Sequence, residues 1–358
     1  MKPKKLAKDL TIITLILLIG GLVILYNAST VLSIEKTGKP YYYFLHQLLY
    51  GGVVGIIAFL FFKNFNYKSL KKLSLLIFFA ALILSALVFV PQLGYKHGGA
   101  QRWLSLGGAS LQPAEFLKLA LIIYLAAFLG NKKSHRLVPF LFINAAIAGL
   151  MTLQNDFGTL VLIILVGLTM YFLSGAKLRN IIIVVIIYAA AFSALVYFFP
   201  HRMERIRTFL NPEIDPSGIS YQINQAVITI GSGGLFGRGL GHSVQKYSYL
   251  PEPMGDSIFA IIAEEIGFIG SLIYIVLLVL LISKGFKVGR RISDDFGKLL
   301  SCGIVCWFGI QAVANIGAIS GLIPLTGIPL PFVSYGGSAL AITLAGAGIL
   351  VNISKHTH

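Results

Sequence analysis

Apolar positions in this chain run in long blocks separated by polar breaks, with neither the alternation of a half-buried strand nor the polar face of a soluble amphipathic helix. The blocks fall at about residues 10–30, 43–62, 70–90, 112–130, 138–153, 159–174, 181–199, 257–283, 299–321 and 338–353. About twenty such residues cross a hydrocarbon core as a helix, so the pattern predicts about ten transmembrane helices, the shorter ones broken or tilted. The expected fold is an all-α, polytopic membrane bundle forming one domain over residues 1–358. An outer-membrane barrel is excluded, because its strands are roughly ten residues long and alternate. Two breaks are long: 91–111, and about 200–256 between the seventh and eighth blocks. Connections of that length in compact proteins tend to carry function. A third break, 322–337, holds Pro324, Pro329 and Pro331 and ends in Tyr335-Gly336-Gly337-Ser338. It reads as a re-entrant, non-helical segment, tolerated at membrane depth only where protein or a water-filled cavity satisfies its backbone.

Composition agrees with this reading. The chain is 56% hydrophobic and only 12% charged, roughly half the charged fraction of a soluble domain. Its net charge of +16 has a location. If the N-terminus is cytoplasmic, the inner segments hold 19 of the 29 cations, among them Lys2, Lys63, Lys132, Lys133, Arg136 and Arg290, and three of the 13 acids. That surplus is the positive-inside bias, which puts both termini in the cytoplasm and needs no nucleic acid to explain it. The lysines before the first block imitate a secretory signal, but no small-residue cleavage site follows, so an uncleaved first helix is expected. Cys302 and Cys306 lie four apart in one block and read as packing residues. Gly51 with Gly55, and Gly317 with Gly321, have helix-packing spacing.

Ionisable groups inside or beside apolar helices cost a few kcal/mol each, about 3 on insertion scales, and call for a partner or a purpose. Glu115 and Lys118 share a helix face; Asp156 lies in an outer turn; Asp256 closes the long loop; Glu264 and Glu265 follow two turns deeper. All fall in the outer half, which predicts a shared polar cavity. The bland alternatives are a packing ion pair for Glu115 and Lys118, and a helix N-cap for Asp256. The run Gly231-Ser232-Gly233-Gly234-Leu235-Phe236-Gly237-Arg238-Gly239-Leu240-Gly241 lacks both the P-loop ending and the dinucleotide spacing, so close backbone packing is its first reading and phosphate cradling its second. Residues 201–210 set Met203, Ile206 and Leu210 at helical spacing with Arg202, Arg205 and Arg207 between them, an interfacial helix whose arginines either snorkel or hold a lipid diphosphate. Neither HExxH nor GxSxG occurs.

In order along the chain stand Gly99-Ala100-Gln101-Arg102-Trp103-Leu104, Gln112-Pro113-Ala114-Glu115-Phe116-Leu117-Lys118, Asp156-Phe157-Gly158-Thr159, Tyr221-Gln222, Tyr249-Leu250-Pro251-Glu252 through Asp256 to Glu264-Glu265-Ile266-Gly267, and Gly327-Ile328-Pro329-Leu330-Pro331-Phe332 through Ser334 to Ser338. With these segments the chain resembles the SEDS family of bacterial cell-wall polymerases, the FtsW, RodA and SpoVE group. Ser243-Val244-Gln245-Lys246 and the ending Asn352-Ile353-Ser354-Lys355-His356 are more similar to the division members than to the elongation members. Met254-Gly255 replaces the family's usual His-Thr, Ser257 its usual aromatic residue, and Gln101 a frequent second basic residue.

The resemblance implies an integral protein of the bacterial cytoplasmic membrane that polymerises lipid II into glycan strands on the outer face. It implies Asp256 as general base, with inversion at the anomeric carbon. Lys118, Arg102, Arg238 and Lys246 become holders of the leaving diphosphate, Glu115 the partner of Lys118, and Trp103 a lining of the lipid or sugar groove. Asp156, Glu264 and Ser334 complete the expected substrate site. A divalent cation, Mg or Mn, is the expected cofactor. Expected partners are lipid II, the nascent undecaprenyl-diphosphate glycan, a class B penicillin-binding transpeptidase and other divisome or elongasome membrane proteins. Two other classes stay open at this point: a lipid II flippase, and a non-catalytic divisome scaffold.

Overall fold

The structure, a computed structural model, describes residues 3–97, 100–107, 109–131, 137–211, 213, 218–247 and 249–358. Lys2, Gly99, Lys132, Lys133 and Arg136, named above, lie outside the described residues. Helices α1 (Pro3–Thr37), α2 (Tyr42–Gln47), α3 (Val54–Asn64) and α4 (Tyr67–Ala86) come first, α2 and α3 being joined without interruption by a π-helical turn, Leu48–Val53. A small sheet follows, β1 (Gly94–His97), β2 (Ala100–Leu106) and β3 (Ala109–Leu111). Then come α5 (Pro113–Leu129), α6 (Leu137–Leu153), α7 (Phe157–Leu173), α8 (Leu178–Phe198), α9 (Pro200–Leu210), α10 (Ile219–Ser232), α11 (Ile258–Arg291), α12 (Asp295–Ile319) and α13 (Gly337–Ser354).

Seven helical stretches among the described residues are long and apolar enough to cross a membrane, Tyr42–Asn64 counting as one. The 17-residue helices α5, α6 and α7 occupy the other three expected positions. At about 26 Å they are slightly shorter than a typical hydrocarbon core. Leu76, Ile57, Phe142 and Val313 stand on the outside at 63–75% exposure, the lipid-facing belt of an integral membrane protein. Inside, α13 is buried along most of its length and packs against α3. The approach is close because the contact residues are small: a Cβ on Gly55 would come within 2.5 Å of Leu344, and one on Gly348 within 2.6 Å of the Phe59 carbonyl. Gly51 likewise faces α13. Gly317 and Gly321 do not serve a helix pair; Gly317 faces Ile323, and Gly321, at φ +72°, turns the chain after α12. Cys302 and Cys306 are free and buried, Cys302 lying against Gly289 of α11.

The two ends of the bundle differ. On the lysine-rich end, Tyr67 donates to Asp294 at 2.6 Å, Lys284 pairs with Asp9 at 2.7 Å, and Lys355 donates to the Lys63 carbonyl. The opposite end carries the sheet, α9, α10 and the segment 320–336, and is called the loop end here. The sheet is antiparallel in the order β1-β2-β3, with Tyr95 opposite Trp103 and Leu104 opposite Leu111. It adds a strand element to a bundle whose pattern predicted helices alone. Leu104 and Ala100 point inward and Trp103 stays half-buried.

Candidate active site

Asp256 ends the long loop one residue before the N-cap of α11, which is Ser257. It is therefore no N-cap. Its Oδ1 accepts a hydrogen bond at 3.2 Å from Nε2 of Gln222, which reaches up from α10 and also contacts Ser257 Oγ at 3.1 Å. The loop holding Asp256 is fastened from two sides. Asn315 of α12 donates at 2.8 Å to the Asp256 carbonyl and at 2.8 Å to that of Ile328. Ser334 donates to the Gly255 carbonyl at 2.7 Å while accepting from the Leu330 amide at 2.7 Å, and the Tyr335 amide donates to the Met254 carbonyl. The segment 322–336 is non-helical and largely buried, and these bonds make it the floor under the acidic loop. Burial, and after it the charge of Glu252, push the Asp256 carboxyl up to about 6; Gln222 and Arg205 oppose that rise.

The cation whose charge acts on this carboxyl comes from another element. Arg205 of α9 donates to the Leu325 carbonyl at 3.3 Å. Burial and then the charge of Arg102 hold its guanidinium below its ordinary pKa, while Asp256 pulls it up. Arg102, on β2, donates to the Asn155 carbonyl and stands 3.9 Å from Asp156. Asp156 is the N-cap of α7, accepting from the Thr159 amide, and Gln112 reaches its other oxygen at 3.5 Å. Asp256, Arg205, Arg102 and Asp156 thus form one charged neighbourhood at the loop end. Trp103 follows Arg102 on the same strand.

Two further groups of charges lie apart from it, and the expected single cavity resolves into three clusters. In the first, Glu115 and Lys118 pair at 2.8 Å with both side chains 2% exposed. Lys118 also donates to Gln311 Oε1 at 3.2 Å and lies 5.4 Å from the Trp307 ring. Gln311 passes the connection on, donating to the Pro329 carbonyl at 2.8 Å. Gln311 and Asn315 are one turn apart on α12, so the ion pair and the Asp256 loop are braced by the same helix face.

In the second, Glu264 accepts from Ser243 Oγ and from the Val244 amide and stands 3.7 Å from Arg238; Glu265 pairs with Lys246 at 3.2 Å. Arg238, Lys246 and Glu264 are engaged with one another's neighbours here and not with Asp256. The cause is a break in α11 at Gly267, whose φ of 69° and ψ of −170° lie outside the helical region. The glycine-rich run inserts at the break. The Arg238 and Gly239 amides donate to the Glu264 and Glu265 carbonyls, and the Phe268 and Ile269 amides donate to the Gly234 and Leu235 carbonyls. Two of its amides are consumed in this splice, and those of Gly233, Gly234 and Gly237 bond within the turn itself, which is the packing reading of the run. A Cβ at Gly267 would collide with the Gly237 amide, in a backbone region open essentially to glycine alone. Gly267→Ala is expected to destabilise the protein by about 3 kcal/mol or more, read as a large fall in unfolding temperature in detergent.

Among the described residues no three His, Cys, Asp or Glu side chains converge into a metal cage. No step below runs through a metal ion.

Residues 8–358 match the cell cycle protein family of FtsW, RodA and SpoVE. The chain belongs to this family. Stage V sporulation protein E of Bacillus subtilis (strain 168) is 39% identical over 365 residues, covering 100% of both chains. A probable peptidoglycan glycosyltransferase FtsW of Trichlorobacter lovleyi is 37% identical over 99% of this chain and 95% of its own length. A solved chain described with a peptidoglycan synthase complex that coordinates polymerization and crosslinking superposes with a TM-score of 0.81 at 25% identity, covering 98% of this chain and 97% of that one. The fold and the family expected from the sequence are therefore in place.

One contributor to the setting of Asp256 was not singled out by its residue type. Gln222 stood only as part of the Tyr221-Gln222 pair, yet Gln222, Gln225 and Thr229 recur at helical spacing as a polar stripe, the signal of a helix with a job on one face.

Proposed function

We propose that this protein is a peptidoglycan glycosyltransferase of the bacterial cytoplasmic membrane, with both termini cytoplasmic and the loop end facing outward. Its substrate is lipid II, its product a growing undecaprenyl-diphosphate-linked glycan, and its working partner a class B penicillin-binding transpeptidase. The observation that carries the reading is a carboxyl with a raised pKa, on a loop whose backbone Asn315 and Ser334 hold from two sides and within the field of Arg205, in a chain that matches this family over residues 8–358. The partner is supported by the likeness to a chain described with a synthase complex.

The chemistry follows from those groups. The 4-hydroxyl oxygen of the acceptor sugar attacks the anomeric carbon of the donor. The new C–O bond forms as the bond from that carbon to the diphosphate oxygen breaks, and the diphosphate leaves with the bonding pair. Asp256 takes the hydroxyl proton. Gln222 holds its Oδ1, and the Arg205 and Arg102 guanidiniums sit where negative charge builds on the leaving group. A direct displacement on an α-linked donor gives a β-linked strand. Lys118, locked to Glu115 and Gln311, acts from behind by bracing the Pro329 region. Arg238, Lys246, Glu264 and Glu265 hold the long loop onto the broken helix, so their part is to keep Asp256 in position.

The pH profile tests the assignment. A base must be deprotonated, so a carboxyl raised to about 6 puts the acid limb of polymerisation near pH 6 instead of near 4. The rate is expected to fall about tenfold per pH unit below that point. A limb centred near pH 4, the ordinary carboxylate position, would remove Asp256 from the proton transfer.

A further inference from the structure

Arg202 opens α9 beside the active site and is 8% exposed. Its guanidinium lies 4.2 Å from the Phe199 ring centroid and 4.5 Å from that of Phe157. Nη1 and Nη2 are both buried and have no hydrogen-bond partner. A guanidinium is a five-donor cation that cannot shed its proton, and two ring faces supply no acceptor for those donors. Leaving such a group dry and unpaired is strongly unfavourable.

The neighbouring charges do not compensate it. Asp156 faces Arg102, and Asp256 lies in the field of Arg205. Glu204, on the same helix, has a partner of its own, and Glu252 is exposed. Other polar groups on the elements that meet at the acidic loop are in the same condition. Thr208 Oγ1 of α9, Ser220 Oγ of α10 and Thr326 Oγ1 of the 320–336 segment are buried without partners. These three elements meet around the acidic loop: Arg205 ties α9 to Leu325, and Gln222 ties α10 to Asp256. Phe157, under the Arg202 guanidinium, begins α7, and the next residue, Gly158, packs on the Thr326 carbonyl. The N-terminal end of a 17-residue helix adds positive potential there.

A buried, unpaired guanidinium is satisfied by a compact, multiply charged, acceptor-only group. A phosphoryl group is that group: it accepts in the plane of a guanidinium and has oxygens left for hydroxyls. α9 runs directly on from the apolar span α8, which sets Arg202 at headgroup depth, the level of a lipid phosphate. We infer that Arg202 is a binding residue for a phosphoryl group of a polyprenyl diphosphate, seated between α9, the start of α7 and the 320–336 segment. This rests on the reading of the site as a polyprenyl-diphosphate glycosyltransferase, and it selects Arg202 from the three arginines of this helix that the sequence left between snorkelling and diphosphate binding.

The test is thermal unfolding of the full-length protein in detergent, titrated with undecaprenyl diphosphate, inorganic diphosphate or undecaprenol. Wild type is compared with Arg202→Met, which keeps the apolar volume between the rings, and with Arg202→Lys. The inference expects undecaprenyl diphosphate to stabilise wild type and undecaprenol not to. In Arg202→Met the half-saturating concentration should rise by about 10- to 100-fold, the worth of a charged hydrogen bond. Ligand-free Arg202→Met should unfold at or above the wild-type temperature, because no protein partner is lost. Unchanged half-saturation in Arg202→Met overturns the inference. So does a lower ligand-free unfolding temperature with binding intact, which would make Arg202 a prop for the two rings. Saturation by inorganic diphosphate at the same concentration as the lipid form would overturn the lipid source. Lipid II polymerisation run in parallel separates the two readings. Polymer from wild type together with Arg202-independent diphosphate binding sinks this inference alone; Arg202-dependent binding without any polymer sinks the glycosyltransferase reading alone.

Discussion

Asp256→Asn is expected to lower the rate of glycan polymerisation by about 10²- to 10⁴-fold, the range that a positioned general base supplies. The substitution is nearly isosteric. The Gln222 amide keeps an acceptor at Oδ1, and the bonds from Asn315 and Ser334 to the loop carbonyls do not involve the altered side chain. The fold should persist, and linkage sets the sign of the effect on stability. The folded-state carboxyl is raised from 3.8 to about 6, so ionising it is harder in the native protein than in the unfolded chain. Native stability therefore falls as pH climbs from about 4 to 6 and stays lowered above. Asn removes that loss, so the variant should be at least as stable as wild type at neutral pH. An inactive Asp256→Asn protein with an undiminished unfolding temperature separates chemistry from folding, and the acid limb near pH 6 should vanish from any residual rate.

Glu115→Ala should have the largest effect on stability, a loss of about 3–5 kcal/mol. It strips the counter-charge from a lysine whose side chain is 2% exposed, leaving the ammonium with the Gln311 carbonyl and the Trp307 ring. Removing both charges is a different experiment. Glu115→Gln with Lys118→Met leaves no buried ion, and such replacements of whole pairs are often neutral or stabilising. The double variant therefore asks what the pair is for. Normal stability with normal polymerisation would make it a packing device. Normal stability with weakened polymerisation and an unchanged pH limb is the expected outcome, because Lys118 braces Gln311, and Gln311 braces the Pro329 backbone under the acidic loop. Both variants are read by unfolding temperature and by lipid II turnover.

Much of this arrangement was legible in the residue pattern, and the remainder shows why some was not. Ten apolar blocks are a one-dimensional signal, and ten helices stand at their positions because each satisfies its own backbone within the segment. The short helix α9 was visible from Met203, Ile206 and Leu210. The strands near Trp103 were not, being three to seven residues long with little alternation. The pairing of Glu264 and Glu265 with Arg238 and Lys246 was hidden for a stronger reason. It depends on Gly267 breaking α11 and on a loop from some thirty residues upstream entering the gap, and one glycine in an apolar block looks like any packing glycine. Arg202 illustrates the same limit. Its spacing marked it as amphipathic, while its lack of an acceptor is a property of three elements at once.

The central claim is that Asp256 draws the proton from an attacking sugar hydroxyl as a diphosphate leaves. The most direct measurement incubates the purified full-length protein, with its class B transpeptidase partner, with lipid II, and digests the product with a muramidase that cuts only β-linked strands. Wild type should give polymer that the enzyme reduces wholly to disaccharide units, and Asp256→Asn of equal stability should give none. Polymer of the same yield from Asp256→Asn would contradict the account.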